Sequence, residues 1–147
     1  MRAIVQRVSR AAVRIEGRQA AGIGRGFVVL LGVGGDDGET DADFLLDRIL
    51  GLRVFADASG KMNLALGAVD GALLVISQFT LYADTRQRRP SFTAAAPPEQ
   101  ACRLYKYFLS QAGKHDVKVE CGEFGAHMEV DLINDGPVTI LLDSATR

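Results

Sequence analysis

The chain has no tryptophan, only two cysteines and only two histidines among its 147 residues. Cys102 and Cys121 are not in CxxC spacing, and with His115 and His127 they form no zinc pattern. No disulfide framework and no metal are expected, and free thiols in a reducing compartment are the default. Positive charge is not in excess either: 17 Lys and Arg stand against 18 Asp and Glu, a net charge of −1. That balance excludes a domain that grips long duplex nucleic acid mainly through phosphates. It leaves room for recognition of one short nucleic-acid end. No apolar run approaches membrane-spanning length, and the N-terminus shows no apolar signal stretch. A cytoplasmic protein without a membrane partner is therefore expected.

What is present suits a globular core. Hydrophobic residues make up 48% and charged residues 24%, and the length fits one domain, residues 1–147. Arg2 to Val8 alternates as an imperfect strand, and Ala12 to Ile15 continues it. Glu16-Gly17-Arg18 reads as a hairpin turn with Gln19 to Ile23 as the return strand. Phe27 to Leu31 is a continuous apolar run, hence a central strand. Gly32 to Gly38 is a glycine-rich loop, but no Gly-Lys-Ser/Thr follows, so it is not a phosphate-binding loop.

Two helices are legible from their stripes. Ala42, Leu45, Leu46, Ile49 and Leu50 recur at helical spacing, with Thr40 or Asp41 as the expected cap. Ala101, Leu104, Tyr105, Phe108 and Leu109 repeat that spacing after Pro97-Pro98, and Gly113 is the expected end. Matching single apolar faces place both helices on one sheet surface. Arg53 to Phe55 reads as a short strand and Asp57 to Lys61 as a turn. Val117 to Cys121, Met128 to Ile133 and Val138 to Leu142 complete the strands, with Asn134-Asp135-Gly136-Pro137 as a sharp break. The expected class is mixed α/β (α+β): one domain with a largely antiparallel or mixed sheet or barrel and two amphipathic helices packed on it.

The stretch that carries chemistry is Ser77-Gln78-Phe79-Thr80. It ends the buried run Ala72 to Ile76, and a polar cluster at the mouth of a buried strand costs stability unless paired. It is a site candidate, against the plain alternative of a strand ending in a polar turn. Read by type alone, Gln78 is equally a satisfied strand-end residue, Phe79, Phe124 and Met128 are core, and Arg7 is a surface charge. His127 and Cys121 read as structural. The basic run Arg86 to Arg89 reads as a solvated loop that, beside an active site, would steer a phosphate.

Ser77-Gln78-Phe79-Thr80 and Asn134-Asp135-Gly136-Pro137-Val138-Thr139 together resemble the two signature motifs of the D-aminoacyl-tRNA deacylases, first called D-tyrosyl-tRNA deacylases. Met1 to Val8, Gly60-Lys61-Met62-Asn63, Arg89-Pro90-Ser91-Phe92 and Phe124-Gly125-Ala126-His127-Met128 match further segments in the family's order. One departure is visible: the loop after Asp84-Thr85 lacks the lysine-glycine pair frequent in the family and is a residue shorter.

The resemblance implies hydrolysis of the ester joining a D-amino acid to the terminal adenosine of tRNA, and leaves open whether glycyl-tRNA misacylated onto tRNA(Ala) is also a substrate. It implies a homodimer with sites at the subunit interface, the acceptor end of aminoacyl-tRNA as partner, and no cofactor. It assigns catalysis to Ser77, Gln78, Phe79 and Thr80, with backbone N–H groups near Gln78 and Phe79 facing the ester carbonyl. It assigns the adenosine pocket to Phe124 and Met128, and chiral selection to Gly136 and Pro137 braced by Arg7. The Gly136-Pro137 bond is expected to be cis, with its carbonyls excluding one hand of the substrate. Neither motif holds a general base, so Thr80 reads as a hydrogen-bonding wall rather than a nucleophile, and the substrate's own 2′-hydroxyl assists. The alternatives are a noncatalytic nucleic-acid-binding dimer and a small-ester hydrolase using Thr80.

Overall fold

The computed structural model describes residues 1–147. The N-terminal alternation becomes one long strand, β1 (Arg2–Ile15), continuous through Ser9 and Arg10 where the pattern lapses. Shifts of register in that region bend it, so one strand serves two parts of the sheet. Its first half pairs antiparallel with β3 (Gly26–Gly32), and its second half with β2 (Arg18–Ile23).

β3 then lies parallel to β6 (Ala72–Ser77), and β6 parallel to β7 (Lys118–Cys121). The last strand, β8 (Glu129–Asp143), covers the other edge of β1 along most of its length. The sheet is thus mixed and curls almost into a barrel, as the sequence predicts. A separate two-stranded ribbon joins β4 (Phe55–Ala56) and β5 (Met62–Leu64). The strand expected at Arg53 to Phe55 is therefore displaced, because Arg53 turns its guanidinium onto the backbone carbonyl of Asn63 instead.

Both helices sit on the same sheet face. α1 (Glu39–Gly51) and α2 (Pro98–Ala112) bury Ala42, Leu45, Leu46 and Ile49, and Ala101, Leu104, Tyr105 and Phe108. These meet Ala3, Val5, Phe27, Val29, Leu31, Leu73 and Val75 in one core. Each fully buried Leu or Phe contributes about 1.5–3 kcal/mol, and Phe108→Ala would cost about 3–5 kcal/mol. Val8, Val13, Ile23, Val28, Leu74 and Ile76 form a second core on the opposite face, inside the curl.

The cap of α1 differs from expectation. Gly38 is the N-cap, and Asp41 reaches back from the third helical position to accept from the Gly38 N–H at 2.9 Å. α2 starts and stops as predicted, at Pro98 and before Gly113. The break expected at Asn134 to Pro137 is an excursion within β8. Gln6 faces Thr139 and Val8 faces Asn134, so the four residues 135–138 stand opposite Arg7 alone. The Gly136-Pro137 peptide bond is cis, as expected.

Candidate active site

β6 delivers the first motif to the end of the parallel strands. Ser77 lies beside Leu31 of β3, and the Gln78 N–H donates to the Leu31 carbonyl at 2.8 Å. The chain then tightens into a 3-10 turn, Phe79–Tyr82. Two glycines let this turn sit hard against β3: a Cβ on Gly32 would lie 2.9 Å from the Gln78 carbonyl, and one on Gly34 2.7 Å from the Tyr82 ring.

Residues that sequence reasoning missed hold the turn from outside. Arg2 donates to the Leu81 carbonyl at 3.0 Å and to Asp143 at 2.9 Å, with its guanidinium 4.7 Å from the Tyr82 ring centroid. The Tyr82 hydroxyl donates to Asp37 at 3.1 Å. Burial, together with the Asp37 charge, pushes the Tyr82 phenol well above its usual pKa. Only contacts spanning 45 to 141 residues assemble this brace, and no local pattern announces them.

Ser77, Gln78 and Phe79 form one wall of a cleft of about 410 Å³. Phe124 and Met128, from the segment between β7 and β8, line the same cleft, with His127 and Val130, and Pro98 at the start of α2. Two segments nearly fifty residues apart in sequence therefore share one hollow, mostly apolar with a polar end. Phe124 packs on Tyr105 at a centroid distance of 5.8 Å. The buried Tyr105 hydroxyl donates to the Val75 carbonyl at 2.9 Å and lies 3.4 Å from that of Gly122. One side chain thus ties the strand leading to the motif to the segment bearing Phe124 and Met128. Gly122 makes room for Met128, since a Cβ there would lie 2.5 Å from its sulfur.

Three readings need correction. Phe79 is not core: it is 56% exposed and meets the Phe92 ring edge-on, at 5.0 Å between centroids. The start of a 3-10 turn rotates it away from the strand's buried face. His127 is exposed on the cleft rather than structural. The Gln78 N–H is already spent on Leu31 and does not face the cleft as a free donor. Phe79, which opens the turn, has no acceptor for its N–H within that turn.

Thr80 does not line the cleft, but its hydroxyl accepts from the Gln78 carboxamide at 2.5 Å. Gly136, Pro137 and Arg7 do not line it either. The Arg7 fork donates to the Asp135 carbonyl at 2.8 Å and to that of Val54. Asn134 closes the neck of the excursion: it accepts from the Val138 N–H at 2.7 Å and donates to the Val138 carbonyl at 3.2 Å. Gly136 and Pro137 are left exposed at its tip. No three His, Cys, Asp or Glu side chains converge as a metal-binding group.

A second cleft of about 450 Å³ lies between the helices. It is open and largely polar, lined by Asp43, Asp47, Gln111 and His115 among others, and no motif residue borders it.

A curled mixed sheet bearing an aromatic and thioether hollow beside an amide and hydroxyl cluster defines a small α+β protein with one cleft at the end of its parallel strands. The sequence model of the D-Tyr-tRNA(Tyr) deacylases matches residues 4–143, and the chain belongs to that family. It is 57% identical over 145 residues to the D-aminoacyl-tRNA deacylase of Koribacter versatilis, and 53% identical over 145 residues to that of Thermosipho africanus. Both alignments cover 98% of this chain and 97% of the relative. Among solved structures, the c-Myc DNA Unwinding Element Binding Protein superposes with a TM-score of 0.93 at 42% identity, covering 97% of this chain and 98% of that one. A probable eukaryotic D-amino acid tRNA deacylase shares the fold at a TM-score of 0.83 and 15% identity, covering 96% and 97%.

Proposed function

We propose that this protein hydrolyses the ester bond of D-aminoacyl-tRNA, releasing the D-amino acid and tRNA, with Ser77, Gln78 and Phe79 at the reacting carbonyl, Thr80 supporting the Gln78 carboxamide, and Phe124 and Met128 around the terminal adenine. The observation that carries this is the single cleft shared by Ser77-Gln78-Phe79 and Phe124-Met128. An aromatic face and a soft thioether suit a flat base, and stacking there sets the ribose and its ester against the polar end.

An aminoacyl ester is already activated, so positioning and oxyanion stabilisation suffice. Water attacks the carbonyl carbon, with the neighbouring ribose 2′-hydroxyl relaying its proton. The Phe79 N–H receives the developing oxyanion. The bond from the carbonyl carbon to the 3′-oxygen then breaks, and that oxygen takes the proton. Ser77 borders the site, and Thr80 acts from behind it by holding the Gln78 carboxamide.

In this reading the active form is a homodimer in the cytoplasm, acting on the acceptor end of aminoacyl-tRNA. Gly136 and Pro137 are exposed and stand outside their own chain's cleft, which supports their acting on the cleft of a second copy. Val130, Ile133 and Leu141 of β8, 37%, 46% and 62% exposed, supply the apolar surface for that contact. Main-chain atoms at Gly136-Pro137 exclude an L side chain without sensing its identity. Glycine has no side chain to exclude, so glycyl-tRNA(Ala) is a further substrate.

Incubation with D-Tyr-tRNA and L-Tyr-tRNA at low enzyme tests the function. Release of tyrosine from the D form should far exceed release from the L form, and equal rates would refute the reading. One observation favours a second reading, noncatalytic nucleic-acid binding: the 42% identical structure is named for binding a DNA element. Retention of tRNA without release of either amino acid would select it.

A further inference from the structure

The loop after the 3-10 turn is a closed structural unit. Asp84 and Ser91 exchange two backbone hydrogen bonds, of 2.7 and 3.0 Å, and pinch off residues 85–90. Its base is fixed beside the first motif, because Phe92, next after Ser91, packs edge-on against Phe79. The loop carries three arginines in a chain whose net charge is −1. They are not equivalent. Arg86 folds back onto Asp84 through contacts of 2.5 to 3.0 Å and is neutralised there, and the pairing holds the Asp84 carboxyl below its usual range. Arg88 and Arg89 are exposed and take no part in any ion pair of the fold. Arg89 borders a shallow hollow of about 220 Å³ together with Asp84, Arg86, Gln87 and Ser91, the Asp84 charge there being met by Arg86. Two free guanidinium groups on a pinned loop suit phosphate oxygens.

The distance from the motif fixes which phosphates. From Phe79 to Asp84 the chain runs three steps of 3-10 turn and two extended steps, no more than about 13 Å. A stacked strand carries one phosphate per about 3.4 Å, so the base of the loop stands within a few nucleotides of an adenosine held in the cleft.

We propose that Arg88 and Arg89 bind the backbone phosphates of the unpaired nucleotides immediately 5′ of the terminal adenosine of tRNA, as an electrostatic guide for the acceptor end. This rests on the deacylase reading. It divides recognition in two: the cleft takes the aminoacyl-adenosine, and the loop takes the strand leading to it. The overall charge of −1 then keeps the protein off duplex nucleic acid in general, while the local pair engages one strand end.

The test compares wild type with the Arg88→Gln/Arg89→Gln double variant on two substrates, D-Tyr-tRNA and D-tyrosyl-adenosine, which carries no phosphate. Rates are measured from low to high salt. The variant should lose roughly tenfold or more in kcat/KM on D-Tyr-tRNA at low salt, the scale of two charge-assisted contacts. The slope of log kcat/KM against log salt should fall by about 1.4, at about 0.7 per single-strand phosphate. Hydrolysis of D-tyrosyl-adenosine should be unchanged, which also shows that the variant folds. An unchanged salt slope overturns the proposal, as does an equal loss on both substrates, since the loop would then only shape the cleft. A wild-type protein inactive on both substrates refutes the deacylase reading itself, and the guide with it.

Discussion

The Gln78 carboxamide donates a hydrogen bond to Thr80 Oγ1 at 2.5 Å. A hydroxyl about to attack must give its proton to a base. Here the oxygen receives a proton donor instead, and no carboxylate or imidazole touches it. Thr80→Ala should therefore keep activity on D-Tyr-tRNA within about tenfold of wild type in single-turnover measurements, since what is lost is one neutral hydrogen bond. A loss of about a thousandfold or more, the scale of a true nucleophile, would restore the ester-hydrolase reading.

Gly122 and Gly26 make a paired test of cleft against scaffold. A Cβ on Gly122 would lie 2.5 Å from the Met128 sulfur, the flexible end of a side chain. Gly122→Ala should push Met128 into the cleft, raising KM for D-Tyr-tRNA several-fold with little change in Tm. A Cβ on Gly26 would lie 1.9 Å from the Ala72 carbonyl oxygen, fixed backbone between parallel strands. Gly26→Ala should cost about 3 kcal/mol or more, a fall in Tm of roughly 10 °C at about 2–4 °C per kcal/mol. Calorimetry and steady-state kinetics on the two variants separate these outcomes.

The helices were legible because a single period of 3.6 governs each, and every residue of the α2 stripe except Leu109 is buried. The central strands were legible because both faces of Phe27 to Leu31 and Ala72 to Ile76 are covered, which writes them as apolar runs. The site was legible only in pieces. Nothing local to Phe79 shows that a 3-10 turn begins there, so strand alternation placed it wrongly in the core. Nothing local to His127 or Pro98 shows that they border Ser77. The Arg2, Tyr82 and Asp37 brace depends on the chain's two ends meeting the middle. The family motifs named Phe124 and Met128 as a pair with the first motif, and their spacing alone reads as core.

Tyr105 joins the core to the cleft, and its hydroxyl supplies two consequences. Tyr105→Phe removes the hydroxyl's bond to the Val75 carbonyl, which still accepts from the Gly122 N–H at 3.1 Å. The cost is that of one neutral hydrogen bond, about 0.5–1.5 kcal/mol, so Tm should fall by about 1–6 °C. The phenol's pKa is raised chiefly by desolvation. The unfolded chain ionises near pH 10 while the folded chain keeps its proton, so above that pH the unfolded state binds fewer protons and stability falls as pH rises. For this buried group the loss reaches about 1.4 kcal/mol per pH unit. Denaturant melts at pH 9 and pH 11 should show a drop in wild type that is smaller in Tyr105→Phe. Equal drops would show that the phenol does not govern alkaline stability.

Assembly is tested at Leu141, which is 62% exposed in the single chain. Sedimentation at micromolar concentration should give a dimer, twice the 15.8 kDa chain mass. Leu141→Glu should give a folded monomer, because an exposed side chain costs little to replace within one chain while a charge in an apolar contact is costly. That monomer should have lost chiral selectivity or activity. A wild-type protein that is monomeric and fully active would contradict the two-copy site.

Arg7 carries the last prediction. It is the one β1 residue facing the four-residue excursion of β8, and its side chain is only 12% exposed. Its planar fork spans two carbonyls, Asp135 at 2.8 Å and Val54, and so ties the excursion to the segment before β4. Gly136 sits so close that a Cβ there would lie 3.0 Å from the guanidinium. A lysine carries one compact ammonium and cannot present two in-plane donors to both carbonyls. Arg7→Lys should therefore leave the fold intact at a cost of about 1.5–3 kcal/mol, the scale of a lost charge-assisted bond, while the excursion loosens. If selectivity comes from exclusion, a looser barrier admits the wrong hand before it fails the right one. The ratio of kcat/KM for D-Tyr-tRNA over L-Tyr-tRNA should fall at least about tenfold, a change of about 1.4 kcal/mol in discrimination, chiefly through faster release from the L form. An unchanged ratio in a folded Arg7→Lys protein would remove Arg7 from chiral selection and leave it a packing residue.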